Sequence, residues 1–126
     1  MQDRPTAREL LATLNTFFDE ELLPSISGPL QYRVRVAANL VRIIERELAL
    51  GPTHDRNEYA ALRALVGSDG NDDLLATNAR LSDSIAAGAF DRDPETVWSA
   101  LMDVARAKLA VVKPGYDAYD GSVERP

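Results

Sequence analysis

The chain has no cysteine, one histidine and one tryptophan among its 126 residues, and aromatic residues make up only 6% of it. Without cysteine there can be no disulfide, no thiolate metal site and no cysteine nucleophile. Basic residues are also few, since 14 lysines and arginines stand against 20 acids and give a net charge of −6. This balance disfavours binding to nucleic acid or to an anionic membrane, because both need a basic surface.

Long apolar runs are missing as well, and none approaches the roughly 20 residues of a membrane span. Residues 1–5 lack the apolar core of a signal peptide, so we expect a cytoplasmic protein without membrane insertion. The remaining composition, 45% hydrophobic and 27% charged, is that of a soluble globular protein with its own core. We therefore expect one domain over residues 1–126, with a frayed tail from about residue 117.

Helix start and stop signals occur five times, whereas the alternation typical of strands is absent. Thr6 and Glu9 form a capping box before the first helix, and Pro24 ends that helix. Gly51-Pro52 is expected to end the second helix, and a second capping box, Asp55 to Glu58, is expected to open the third. The predicted helices cover about residues 7–23, 30–50, 55–67, 72–87 and 94–113. Short connections between amphipathic helices predict an all-α fold, an antiparallel bundle of about five helices.

The second helix carries two apolar stripes on nearly opposite sides. The first stripe consists of Leu30, Val34, Ala37, Val41, Ile44 and Leu48, and the second of Tyr32, Val36, Ile43 and Leu50. A helix at the edge of a bundle needs only one stripe, so both sides of this helix are expected to be covered. Two interpretations are open: a central helix inside a five-helix bundle, or a homodimer interface through the second stripe.

Standard catalytic and metal-binding motifs do not occur in the sequence. The only histidine, His54, lies at the start of the predicted third helix, where a solvated loop residue is the simpler interpretation. Residues 69–73 place acidic or amide side chains at the first, third and fifth positions of an EF-hand-like calcium-binding loop. However, Leu74 stands at the glycine position and Arg80 at that of the final glutamate. We therefore predict no metal and no cofactor, and we interpret this loop as an acidic turn that caps a helix.

Polar residues within the apolar stripes are more informative. Five of them predict a buried polar cluster or ligand site: Glu21, Asn39, Arg46, Asn78 and Lys108. Lys108 lies in the middle of the apolar stripe of the fifth helix. An unpaired buried ammonium costs several kcal/mol, and Glu21 is the nearest candidate partner by pattern. The alternative is that Lys108 extends to solvent from an apolar stem. A structural network, a ligand site and a catalytic site all stay open.

Four short segments carry a resemblance to a known family: Asp3–Leu11, Val36–Leu48, Asn78–Asp91 and Lys108–Tyr116. In this order they are similar to a bacterial family of unknown function over almost the whole chain. Members of that family are encoded beside aminoglycoside-phosphotransferase-like and acyl-CoA-dehydrogenase-like proteins, and some are fused to the former. The resemblance implies a place in acyl-CoA-related metabolism and a phosphotransferase-like partner, but no reaction.

From these observations we expect a non-catalytic accessory or interaction protein, a homodimer associated with a phosphotransferase-like partner. The first alternative is a small-molecule or acyl-group binding module, with a cavity lined by Phe17, Phe18 and Trp98. The second is an enzyme with a nonstandard site around Lys108 and Glu21. A large apolar surface patch would favour the first function, an internal cavity the second, and a cleft that exposes Lys108 the third.

Overall fold

The computed structural model describes residues 4–70 and 72–116, and no strand occurs within these ranges. The elements follow in the order α1 Ala7–Phe17, a π-helical turn Phe18–Leu22, α2 Leu23–Ser25, α3 Gly28–Val66, α4 Leu74–Ala86 and α5 Pro94–Val112. These ranges contain four long helices instead of the predicted five, because the helices predicted at about 30–50 and 55–67 are one continuous helix, α3, and α2 is only a single turn. The all-α class is confirmed. In the described part of the chain, no helix is both long and apolar enough to cross a membrane.

Helices α1 and α4 begin where the sequence predicts a start. The Thr6 backbone N–H donates to Glu9 Oε2 at 2.7 Å, and the Glu9 N–H donates to Thr6 Oγ1 at 3.2 Å, which completes the capping box. At α4, the Asp73 carboxylate accepts from the Ala76 N–H at 2.8 Å, so the acidic turn does cap this helix. At α5, the Asp93 carboxylate instead accepts from the Thr96 hydroxyl at 2.6 Å.

Helix α3 is longer than predicted, because the chain stays helical through Gly51-Pro52. The prediction that this dipeptide ends one helix and that a new capping box then opens another is wrong. A proline inside a helix lacks the N–H that would bond the carbonyl four residues earlier, at a cost of about 3 kcal/mol. Tertiary burial outweighs this local cost, since Glu58 and Leu62 on the following turns are both buried.

Contacts along the chain define two compact units, and the boundary lies between Gly51 and Pro52. The first unit contains α1, α2 and the first part of α3, and its buried hydrophobic residue is Ala38. The second unit contains the rest of α3 with α4 and α5. Its buried hydrophobic residues are Leu62, Leu81, Val97 and Val111. The single domain stays a prediction, and the expected frayed tail from residue 117 lies outside the described residues.

Candidate functional site

A buried carboxylate, Glu58, organises a small polar cluster in the second unit. Its side chain is only 9% exposed, and Oε1 accepts a hydrogen bond from Asn78 Nδ2 at 3.0 Å. The ammonium of Lys108 lies 3.5 Å from the same oxygen, and this lysine side chain is 66% exposed. Glu58 on α3 therefore pairs with one residue of α4 and one of α5, and two of the five predicted cluster residues meet at it.

The other three predicted residues belong to the first unit. Glu21 and Asn39 are exposed in the first unit, and Arg46 is half-buried there. Glu21 lies in the π-helical turn, whose wider winding rotates the following residues away from the α-helical positions that the pattern assumed. Asn39 is exposed because it lies about 100° around the helix from the buried Ala38.

Lys108 is placed differently from the main expectation, which was a buried ammonium paired with Glu21. Its partner is Glu58, and most of its side chain is in solvent. This placement corresponds to the alternative interpretation, in which the aliphatic part of the lysine side chain lies along the apolar stripe and the ammonium extends into solvent.

Sequence reasoning missed Glu58, although it is the centre of the cluster. The segment Asp55–Glu58 had the pattern of a capping box, and a capping glutamate is expected at a solvated helix start. Inside the continuous α3 the same residue lies one helical turn before the buried Leu62 and therefore shares its packed side. The i, i+4 spacing of Glu58 and Leu62 was the available signal.

A groove next to Glu58 collects further polar groups of the second unit. Its volume is about 270 Å³, and its lining includes His54, Asn57, Glu58 and Asp103. His54 is a half-buried helical residue and not the predicted solvated loop residue. Across residues 4–70 and 72–116, no three His, Cys, Asp or Glu side chains are grouped so that they could hold a metal ion. The groove is slightly smaller than the range of about 300–1,000 Å³ that is typical of small-molecule sites.

In the first unit, α1 and the first part of α3 pack antiparallel through a flank with polar contacts. Asn15 Nδ2 donates to Glu45 Oε2 at 3.2 Å, and the Arg42 guanidinium forms an ion pair with Asp19. Asp19 follows Asn15 in the chain, whereas its partner Arg42 precedes Glu45 in α3. The two segments therefore run antiparallel. Ala38 lies fully buried on the same flank of α3.

The apolar stripes lie beside this polar flank and remain partly exposed. On α1 the exposed fractions of Leu10, Leu14 and Phe17 are 43–49%. On the first stripe of α3, Leu30, Ile44 and Leu48 are 46–55% exposed, whereas Val34, Ala37 and Val41 are half-buried. We call these six side chains the first-unit apolar surface: Leu10, Leu14, Phe17, Leu30, Ile44 and Leu48. The α3 stripe lies roughly 80° around its helix from Ala38, and the α1 stripe lies about 100–160° around its helix from Asn15. In an antiparallel pair both rotations lead toward the same side, so the six side chains lie toward one side of the helix pair, with Leu10 and Phe17 turned furthest from α3.

The second stripe of α3 is also incompletely covered. Tyr32 is 69% exposed, Val36 43% and Leu50 36%, while Ile43 is half-buried. Packing within the first unit thus leaves exposed residues on both stripes of α3.

Over residues 4–70 and 72–116 the chain is helical without strands, and it contains a helix pair with an exposed apolar surface and a unit with a buried glutamate. The chain belongs to the family described as a domain of unknown function, DUF6285, which matches residues 24–116. The matched range contains Glu58, Asn78 and Lys108, whereas α1 precedes it. The predicted membership of a family of unknown function is confirmed. No curated protein and no solved structure gives a significant match to the chain.

Proposed function

We propose that this chain is a non-catalytic accessory protein whose role is to bind other proteins. The observation that carries this proposal is the first-unit apolar surface, whose six large side chains are about half exposed. The largest apolar patch of a typical monomer measures about 300–600 Å² and often has a function, and six half-exposed large side chains present on the order of 500 Å². A surface of this size on a helix pair is typical of a protein interface.

The partner that this surface fits is a second copy of the chain. Two antiparallel helices with apolar stripes on one side form half of a four-helix bundle, and two such pairs can bury their stripes against each other. With its polar rim, an apolar area on the order of 500 Å² approaches the roughly 800 Å² that each partner buries in a standard stable interface. The exposed surface therefore supports a homodimer.

Sedimentation velocity tests the proposed dimer. Ile44→Glu places a charge within the first-unit apolar surface and should convert a dimer into a folded monomer, because an unpaired carboxylate is costly to bury. Leu75→Glu is the matched control, since Leu75 is a 79% exposed leucine of the second unit and should tolerate the charge.

Three results would contradict the proposed dimer. The unmodified chain could sediment as a monomer at every concentration, or Leu75→Glu could dissociate it as fully as Ile44→Glu does. An Ile44→Glu chain that is unfolded by circular dichroism would mean that the surface is covered within the chain itself.

The family resemblance supports a second partner, a phosphotransferase-like protein in acyl-CoA-related metabolism. The second stripe of α3, with Tyr32, Val36 and Leu50 exposed, offers a separate face for it. Purified phosphotransferase-like protein from the same gene neighbourhood should bind the immobilised chain, and Val36→Glu should weaken that binding at least tenfold while Leu75→Glu does not. Equal binding by the unmodified chain and Val36→Glu would exclude this face.

Small-molecule binding is the second candidate function, and a cavity beside Trp98 in the second unit favours it. The lining of this cavity comes from α4, α5 and the turn between them. Phe17 and Phe18, which were expected to share a cavity with Trp98, belong to the first unit.

A further inference from the structure

A cavity of about 420 Å³ lies where the end of α4 meets the start of α5. Its volume is within the range of small-molecule sites. The lining includes Ile85, Phe90, Asp91, Glu95, Trp98 and Leu101. Ile85, Trp98 and Leu101 are 38–44% exposed. These apolar side chains are partly exposed to solvent, and a ligand in the cavity would remove that surface from water.

The turn between the two helices fixes the position of the Asp91 carboxylate. Gly88 has a φ of +78°, a left-handed conformation that favours glycine. Its N–H donates to the Ile85 carbonyl at 3.0 Å, and the Asp91 N–H donates to the Gly88 carbonyl at 3.2 Å. A β-carbon on Gly88 would lie only 2.8 Å from Asp91 Oδ2, so the carboxylate is seated directly against the glycine.

The charges around the cavity favour a cationic ligand. Asp91 and Glu95 are part of the lining. The start of α5 contributes a positive partial charge of about half a unit, which these two carboxylates outweigh. Arg92 is exposed and is not among the lining residues. An anionic ligand such as an acyl-CoA would meet electrostatic repulsion here.

We propose that this cavity binds a small organic amine. The protonated amino group lies beside Asp91 and Glu95, and the apolar body of the ligand covers Trp98 and Phe90. A cation close to an indole face gains further electrostatic attraction of about 0.5–2 kcal/mol. This site is independent of the proposed protein-binding role, because its lining residues are all in the second unit and not in the first-unit apolar surface.

Fluorescence titration tests the site directly, because Trp98 is the only tryptophan of the chain. The probes are phenethylamine, phenethyl alcohol and phenylacetate, which share a phenyl body but differ in charge. Phenethylamine should change the emission of Trp98 with saturation in about the millimolar range, as expected for so small a ligand. The neutral alcohol should bind at least threefold more weakly, and the anion more weakly still.

Substitutions of the two carboxylates locate the recognition of the amino group. Asp91→Asn and Glu95→Gln should each weaken phenethylamine binding roughly three- to tenfold and leave binding of the alcohol unchanged. Glu20→Gln removes a carboxylate from an exposed position of the first unit and serves as the matched control. Circular dichroism confirms that each variant is folded.

The proposal is overturned if phenethyl alcohol or phenylacetate binds as tightly as phenethylamine, or if no probe gives a saturable change. It is also overturned if both carboxylate variants fold and bind the amine like the unmodified chain. The comparison of the three probes on the unmodified chain does not depend on any variant folding. The sedimentation result for the dimer is a separate measurement, so failure of one proposal is distinguishable from failure of the other.

Discussion

At the scale of single residues, Glu58 combines a charge with deep burial. Its carboxylate accepts from the Asn78 amide and lies near the Lys108 ammonium, so the lost hydration is partly replaced. The two partners differ in their surroundings, because Asn78 is half-buried whereas Lys108 is largely in water. Removing one or the other should therefore have unequal effects on stability.

We expect Glu58→Ala to lower the free energy of unfolding by about 1–3 kcal/mol, because the half-buried Asn78 amide keeps only the Leu74 carbonyl, 3.1 Å away, as an acceptor. Lys108→Met should change it by no more than about 0.5 kcal/mol, since solvent screens the exposed ammonium. Denaturant unfolding measures both values. Glu47→Ala is the control, because Glu47 is an exposed glutamate of the same helix.

The double variant Glu58→Ala with Asn78→Ala gives an independent check. Its loss of stability should be smaller than the sum of the two single losses, because removal of both partners leaves no unsatisfied group. Additive losses would show that the hydrogen bond contributes nothing to stability. A loss from Lys108→Met that equals the loss from Glu58→Ala would mean that the lysine is a buried partner after all.

At the scale of elements, α3 depends on tertiary packing to remain helical at Pro52. Pro52 cannot donate to the Leu48 carbonyl, and a proline ring crowds the preceding turn. The first part of α3 packs in one unit and its later part in the other, so each part is stabilised by its own neighbours. Pro52 itself supplies no N–H donor to the helix, and only its carbonyl can take part in helical hydrogen bonding.

We therefore expect Pro52→Ala to raise the free energy of unfolding by about 1–3 kcal/mol, because the missing hydrogen bond is restored and the crowding is removed. Thermal and denaturant unfolding measure the change. Ala60→Pro, at an exposed position later in the same helix, should instead lower the free energy of unfolding by about 3 kcal/mol. A neutral or destabilising Pro52→Ala would indicate that the chain is not regularly helical at this residue.

At the scale of the whole molecule, the proposed dimer couples stability to concentration. If the first-unit apolar surface pairs two copies, unfolding also separates them, and the Tm of the unmodified chain should rise with protein concentration. Ile44→Glu should abolish this dependence, and Leu75→Glu should preserve it. Calorimetry across a wide concentration range provides the measurement. A Tm that is independent of concentration for the unmodified chain would argue against the dimer.

Part of the candidate site could be predicted from the sequence. Asn78 and Lys108 stood out as polar residues within apolar stripes, and they do meet at one carboxylate. The pattern could not identify Glu58, because the capping-box interpretation assigned it to a solvated helix start. Glu21 was misplaced for another local reason, since the π-helical turn changes the winding that a helical wheel assumes to be constant.

The sequence by itself determined the all-α class, the start of α1 at its capping box and the end of α4, which was predicted at about residue 87 and lies at Ala86. Each of these depends on a few neighbouring residues whose backbone groups must be satisfied locally. Tertiary structure alone decided that α3 continues through Pro52, that Glu58 is buried and that the helices of the first unit pack through a polar flank. These outcomes depend on burial against residues that are distant in sequence. The free energy of that burial exceeds the local helix preferences, and only the local preferences can be read from a sequence pattern.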